Sequence, residues 1–235
     1  MKEYKGLLLD IDNTLYDYRQ AHQPALEVTL NLMRQVLNVS MPRLYELYKE
    51  ARQHIHHLLQ GTAASHNRLL YFQHMMELLG LKPFGLPFRL YNLYWSTFLD
   101  HIVPLPGVLD FLAHLDGVPV CLLTDMTADI QHQKVIRLGI EPFVQYMVTS
   151  EEVGHEKPHP QIFQRALKKL DLPPSAVCMI GDNYEKDIVG AVEMGIAAYW
   201  LRTEGTEEVA LPHCTTFTHF AQLKKRLTEE AKVSV

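Results

Sequence analysis

The reading of this chain turns on Lys5-Gly6-Leu7-Leu8-Leu9-Asp10-Ile11-Asp12-Asn13-Thr14-Leu15. A short, unbroken apolar run that ends in acids predicts a strand buried on both faces, as in a parallel sheet. Residues 118–124, 144–149, 176–181 and 196–201 repeat the pattern, and helical patterns separate them. The stretch 127–138 stops at Gly139, 161–170 runs into Pro173-Pro174, and 184–194 closes at Gly195. Glycine just past a helix, or proline shortly after it, ends the helical pattern. Strand and helix alternating in this way predict right-handed crossovers and an α/β fold, a doubly wound parallel sheet.

Residues 17 to about 103 are different, with no strand-like run. Leu26, Leu30, Met33 and Leu37 share one helical face; Leu44, Leu47, Ala51, Ile55, Leu58 and Leu59 form a second stripe. Leu69, Phe72, Met76 and Leu79 form a third, closed by Gly80, and Tyr91, Tyr94, Trp95 and Phe98 a fourth. Ser40 before Met41-Pro42 suits the start of the second helix, with proline in its first turn. The expected organisation is an α/β core of residues 1–16 and 104–235 with an all-helical module, 17–103, inserted after the first strand. Residues 220–235 are expected to form a final helix that frays.

The 235 residues are 47% hydrophobic and 21% charged, ordinary for a globular protein and too apolar for disorder. Against 27 Asp and Glu stand 22 Lys and Arg, a net charge of −5, which argues against a nucleic-acid partner. No uncharged stretch reaches the roughly 18 residues of a membrane span, and the apolar run after Lys5 is too short for a secretory signal. Cys121, Cys178 and Cys214 are odd in number and far apart, without a CxxC pair. They indicate neither a disulfide framework nor a zinc site, and Cys121 and Cys178 read as strand core. A soluble, cytoplasmic enzyme without a membrane partner is the expectation.

Sites in such sheets gather at the carboxyl ends of the strands. Strand one ends in Asp10-Ile11-Asp12-Asn13-Thr14, strand two in Leu123-Thr124-Asp125, the turn beyond strand three leads to Glu156-Lys157-Pro158, and strand four ends in Gly181-Asp182 with Asp187 beyond it. These four motifs, in this order, resemble those of the haloacid dehalogenase-like hydrolase superfamily. The resemblance covers the α/β part from end to end, and the helical insertion resembles the cap of the first subfamily.

Side chains two apart in an extended segment point to one side, so Asp10 and Asp12 can face one substrate. One carboxylate can attack phosphorus and form an aspartyl-phosphate; the other can protonate the leaving alkoxide and later take a proton from water. The resemblance implies that Asp10 is the nucleophile and Asp12 the acid and base. Clustered carboxylates and a phosphate dianion need cations, and Mg²⁺, a hard ion that prefers oxygen, suits them. By family pattern its ligands are the Asp10 carboxylate, the Asp12 backbone carbonyl and Asp182, with Asp187 acting through a water or positioning its neighbours; as a bare residue Asp187 also reads as a helix N-terminal acid. Lys157 is the expected fixed charge against nucleophile and phosphoryl group, and Pro158 biases its backbone toward an extended conformation. Thr124 is expected to donate its hydroxyl to a phosphate oxygen, beside backbone N–H groups at a helix start. Asp125 departs from the family's usual Asn; its backbone is assigned to phosphate and its side chain to capping the next helix.

The function implied is Mg²⁺-dependent hydrolysis of a small phosphomonoester such as a sugar phosphate or nucleotide. A phosphomutase uses the same phosphoenzyme. A 2-haloacid dehalogenase releases a halide, which needs no proton, and so has no use for Asp12. A non-catalytic phosphate-binding protein is expected to lack Asp10, Asp12 or Lys157. The module is expected to close over the strand ends and exclude water. Within it Arg68 is the first cation to consider for substrate, at the start of the third helix beside a flexible 61–66 stretch, although a solvated surface residue is the plainer reading. His54 and His57 share a helical face and read as exposed. Substrate identity and oligomeric state stay open.

Overall fold

The computed structural model describes residues 4–115, 117–202 and 211–224. The chain divides into two compact units, Met1–Asp17 with Val103–Val235, and Tyr18–Ile102.

The first unit holds a six-stranded, all-parallel sheet of order β3-β2-β1-β4-β5-β6. The strands are β1 (Gly6–Leu9), β2 (Val120–Thr124), β3 (Tyr146–Thr149), β4 (Val177–Gly181), β5 (Ala197–Leu201) and β6 (Cys214–Phe217). Every residue of β1, β2 and β4 is buried, which is why these read as continuous apolar runs. β6 was not expected: only Phe217 of its four residues is buried, so an edge strand of this length leaves no apolar run to read. The chain leaves β1 toward β2 on one side and pairs it with β4 on the other. That makes the carboxyl end of β1 the topological switch point, where α/β sheets open a crevice.

The helices, in chain order, are α1 (Tyr18–Leu37), α2 (Met41–Leu58), α3 (Arg68–Leu78) and α4 (Leu86–His101) in the second unit, then α5 (Val108–Ala113), α6 (Ala128–Arg137), α7 (Ser150–Val153), α8 (Pro160–Leu170) and α9 (Gly190–Glu193) in the first. α8 lays Ile162, Phe163, Ala166, Leu167 and Leu170 on the sheet core. Of the helix expected at the C-terminal end, residues 220–224 are helical and 225–235 lie outside the described residues. No helix among the described residues is long and apolar enough to cross a membrane.

Two expectations for the helical unit need correction. Leu58 is 63% exposed rather than part of the apolar stripe. Arg68 is not solvated: it opens α3 and is 5% exposed, and the stretch before it holds a 3-10 turn, Ala63–His66. Its guanidinium lies 5.4–6.0 Å from the ring centres of Tyr18, Tyr71, Tyr94 and Trp95. Its amino groups donate to the His66 carbonyl and the Tyr18 hydroxyl, each at 2.5 Å. Aromatic faces and two acceptors hold a cation that the apolar stripe alone would exclude, with its Nε left without a hydrogen-bond partner. His22 Nδ1 lies 2.7 Å from the Tyr94 hydroxyl. Burial, and then the charges of Arg68 and Arg52, bring His22 down to about 4.

Gly190 sits where α9 crosses the sheet core. A Cβ there would lie 2.8 Å from Pro158 Cβ and 2.9 Å from the Phe163 ring. Gly190→Ala is expected to lower the urea midpoint by the equivalent of about 1–3 kcal/mol, because overpacking outweighs the helix propensity gained. An unchanged midpoint would mean that the Phe163 ring has room to move aside.

Candidate active site

Asp10 follows β1 directly, is 4% exposed, and its N–H donates to the Ile180 carbonyl of β4 at 3.0 Å. The chain then folds back, with Thr14 and Leu15 donating to the Ile11 carbonyl and Asn13 at a positive φ of 62°. This turn brings Thr14 Oγ1 to Asp10 Oδ2 at 2.9 Å, with Asp182 Oδ1 at 3.3 Å. On the other oxygen, Lys157 Nζ stands 2.6 Å from Asp10 Oδ1. Burial pushes the Asp10 carboxyl well above its ordinary value; Lys157 pulls it back, while Asp187, Asp182 and Asp12 push it further up.

Lys157 is the hub of the site. Its ammonium also lies 2.7 Å from Asp187 Oδ1 and donates to the Leu123 carbonyl of β2 at 3.0 Å. Burial alone would lower its pKa, but Asp10, Asp187 and Asp125 raise it well above the ordinary value, so it stays charged. The peptide bond between Lys157 and Pro158 is cis, and the two residues lie in a turn.

Asp125 has a different job from the one expected. Thr127, not Asp125, stands at the N-cap of α6, and it makes no side-chain cap bond. Asp125 Oδ1 instead accepts the Lys157 N–H at 2.9 Å, and Oδ2 pairs with Lys186 Nζ at 2.8 Å. Lys186 also reaches Glu156 Oε2 at 3.0 Å. The loop that carries Lys157 is thereby tied to the end of β2, and a lysine offsets the extra charge of Asp125.

Beyond β4, residues Tyr184–Val189 form a π-helical turn before α9, where a continuous α-helix was expected. Asn183 caps it by accepting the Lys186 N–H, and Asp187 turns back so that Oδ2 accepts the Asn183 N–H at 3.0 Å. Asp187 is 1% exposed and packs on Gly181, where a Cβ would meet Asp187 Oδ2 at 2.3 Å. Only glycine at 181 leaves that space. π turns often mark sites in this way. Carboxylate oxygens of Asp10, Asp182 and Asp187 all lie within 4.8 Å of one another. Burial and the charge of Asp187 raise Asp182 to about 6.

Asp12 occupies the opposite electrostatic setting. Lys134 Nζ is 2.6 Å from Oδ1, Gln131 Nε2 is 2.9 Å from Oδ2, and the Tyr16 hydroxyl donates to Oδ1. Burial would raise Asp12, but the charge of Lys134 and these three donors outweigh it and hold it at about 2. Thr124 is buried, and its Oγ1 accepts from Gln131 Nε2 at 2.6 Å. Tyr16, Gln131, Lys134 and Lys186 were all missed at the level of sequence. A signal existed for two of them: Gln131 and Lys134 fall on the inward stripe of α6 with Ile130, Val135 and Leu138.

Thus Asp10, Asp12, Thr124, Asp125, Lys157, Asp182 and Asp187 all gather at the carboxyl ends of β1, β2 and β4. With Glu156, six carboxylates here face three lysines, at 134, 157 and 186. The residue of negative charge, and the raised pKa values of Asp10 and Asp182, suit a hard divalent cation with oxygen ligands.

A family model described as haloacid dehalogenase-like hydrolase matches residues 4–195. The chain is 35% identical to ribulose-1,5-bisphosphate 5-phosphatase of Halopiger xanaduensis over 81% of this chain and 82% of that protein. It is 28% identical to glyceraldehyde 3-phosphate phosphatase of Methanothermobacter thermautotrophicus over 86% and 88%. Among solved structures, a HAD phosphatase from Thermococcus onnurineus shares the fold with a TM-score of 0.74, at 19% identity over 97% and 98% of the two chains.

A carboxylate raised in the folded state contributes stability that is complete below its unfolded pKa and lost as pH rises through its folded pKa. For Asp182 that window runs from about 3.8 to about 6. Asp182→Asn cannot ionise. In EDTA at pH 7.5 the variant should therefore be more stable than the wild type by on the order of 1–3 kcal/mol, a gain that fades below pH 4. Parallel urea-stability curves for the two proteins from pH 4 to 7.5 would remove Asp182 as the source of strain.

Proposed function

The chain belongs to the haloacid dehalogenase-like hydrolases, and within that family we propose that it hydrolyses the phosphomonoester of a small sugar through an aspartyl-phosphate on Asp10. The observation that carries this reading is the setting of Asp10. It is a buried carboxylate at the switch point of the sheet, with Lys157 on one oxygen, Thr14 on the other, and Asp12 held separately by Lys134. The two relatives named above support a sugar as the substrate class. Such substrates are soluble metabolites, and the reading places the chain with them in the cytoplasm.

In the first half-reaction an Asp10 oxygen attacks phosphorus, the bond from phosphorus to the sugar oxygen breaks, and protonated Asp12 gives that oxygen its proton. In the second, ionised Asp12 takes a proton from water as the water oxygen attacks phosphorus, freeing inorganic phosphate and restoring Asp10. Lys134 favours the ionised form of Asp12 that the second half requires; the negative charge of bound substrate beside it favours the protonated form that the first half requires. Lys157 keeps its charge beside the transferring group throughout. Thr124 Oγ1 and the backbone N–H groups that follow it would seat phosphate oxygens. Asp10, Asp182 and the Asp12 carbonyl would hold Mg²⁺, with Asp187 acting through a water or by positioning Lys157 and Asn183. When bound, the ion supplies positive charge that offsets that of the phosphate. A haloacid dehalogenase would gain nothing from three donors on Asp12, since a halide leaves without a proton.

A phosphomonoester screen with Mg²⁺, weighted toward sugar mono- and bisphosphates, tests this reading. Asp10→Asn should abolish turnover of the best substrate with its fold intact, because an amide cannot replace the nucleophile. EDTA should silence the wild type and Mg²⁺ restore it better than Ca²⁺, whose looser coordination misplaces the phosphate. Turnover that survives Asp10→Asn, or full activity in EDTA, would overturn the assignment.

A further inference from the structure

The surroundings of Asp12 carry one step more. Gln131 and Lys134 stand three residues apart on the inward face of α6, and both are fully buried. Lysine and glutamine are seldom buried outright, because their polar ends then need complete pairing. Here the pairing converges on one place. Lys134 Nζ lies 2.6 Å from Asp12 Oδ1 and 5.7 Å from the centre of the Tyr16 ring. Gln131 Nε2 has Asp12 Oδ2 at 2.9 Å, Thr124 Oγ1 at 2.6 Å and the Asp125 carbonyl at 2.7 Å. Two of those three are pure acceptors, so the amide nitrogen must face them. The consequence is that Gln131 Oε1 is buried without a partner. A residue retained only for stability would not leave that oxygen orphaned, since an apolar side chain of the same shape would avoid the cost.

Resting on the phosphatase reading above, we propose that Lys134 and Gln131, with the Tyr16 hydroxyl, are positioning residues for the Asp12 proton carrier. They grip both of its oxygens and link it through Gln131 to Thr124 and the Asp125 backbone, where the phosphate is seated. Carboxylate orientation and phosphate seat are thus set by one side chain. A proton donor that must reach a leaving oxygen in one half-reaction and a water in the other cannot swing freely about its own χ angles. The grip of α6 removes that freedom. Neither residue is asked to touch the substrate; both act through Asp12.

The test is a double-mutant cycle on the full chain. Lys134→Met, a neutral side chain of similar length, should lower kcat for the best sugar phosphate roughly ten- to a hundredfold, within the ~10²–10⁴ that proton transfer supplies. KM should stay within about twofold. In an Asp12→Asn background the same change should cost little more, because there is no proton carrier left to position. Equal losses in both backgrounds would mean that Lys134 is merely structural, and would overturn the proposal. If Lys134→Met fails to fold, Lys134→Gln takes its place in the same cycle. A crystal structure of the folding variant reads the proposal without turnover: Asp12 should leave its present rotamer, and an unmoved Asp12 would count against positioning. The phosphatase reading itself fails separately, by absent wild-type turnover or by turnover that survives Asp10→Asn.

Discussion

The ammonium of Lys157 stands between Asp10 and Asp187, 2.6 and 2.7 Å from their oxygens, in a nearly buried setting. A buried lysine is tolerable only when its charge and its protons are met. These partners come from three different strand ends: Asp10 after β1, the Leu123 carbonyl on β2, and Asp187 beyond β4. Parallel strands open into a crevice at a switch point because their connections diverge there. Lys157 is the cross-piece that ties the diverging ends together. Its own backbone N–H is tied to Asp125, so the position of the ammonium is set from both ends of the residue.

That cross-piece divides the carboxylates into two electrostatic populations. On one side Asp10 and Asp182 crowd Asp187, and burial with mutual repulsion pushes both pKa values up. On the other side Asp12 stands with Lys134, Gln131 and Tyr16, and its pKa goes down. Carboxylates within one small site that are driven in opposite directions are suited to different tasks. The crowded group attracts a cation and carries the nucleophile. The paired one handles protons. The division follows from which helix each strand end meets: β1 and β4 meet the π turn with its acids, while the β1 turn also meets α6 with its buried amide and ammonium.

The strands were legible because burial on both faces demands an unbroken apolar run, which β1, β2 and β4 supply. The acids at their ends were legible because nothing else in a buried strand announces a stop so clearly. What could not be read was any feature that depends on distant pairing. The edge strand β6 has too few buried residues to show a pattern. The π turn exists because Asp187 folds back onto Gly181 and Asn183, a contact that helical periodicity does not encode. Gln131, Lys134 and Arg68 are polar residues at inward positions, where polarity alone points to solvent. Each is buried because partners remote in sequence are waiting for it: Asp12 for the first two, Tyr18 and Tyr94 among those around Arg68.

Asp125 shows how such remote pairing changes the meaning of a single residue. Taken alone, a carboxylate beside a phosphate seat is an electrostatic error, and an amide could accept the Lys157 N–H just as well. The second oxygen resolves this. Lys186, half-buried on the π turn, has Asp125 and Glu156 as its carboxylate partners, and their charges raise its pKa. An amide at 125 would leave Lys186 with Glu156 alone and would loosen the link from the π turn to the β2 end. The acid therefore does not need to be explained at the phosphate seat. It belongs to a strut, Glu156–Lys186–Asp125, that runs behind Lys157 and sets the loop from which the lysine reaches into the site. Charge that would hinder substrate if it stood alone is spent on holding the group that substrate needs.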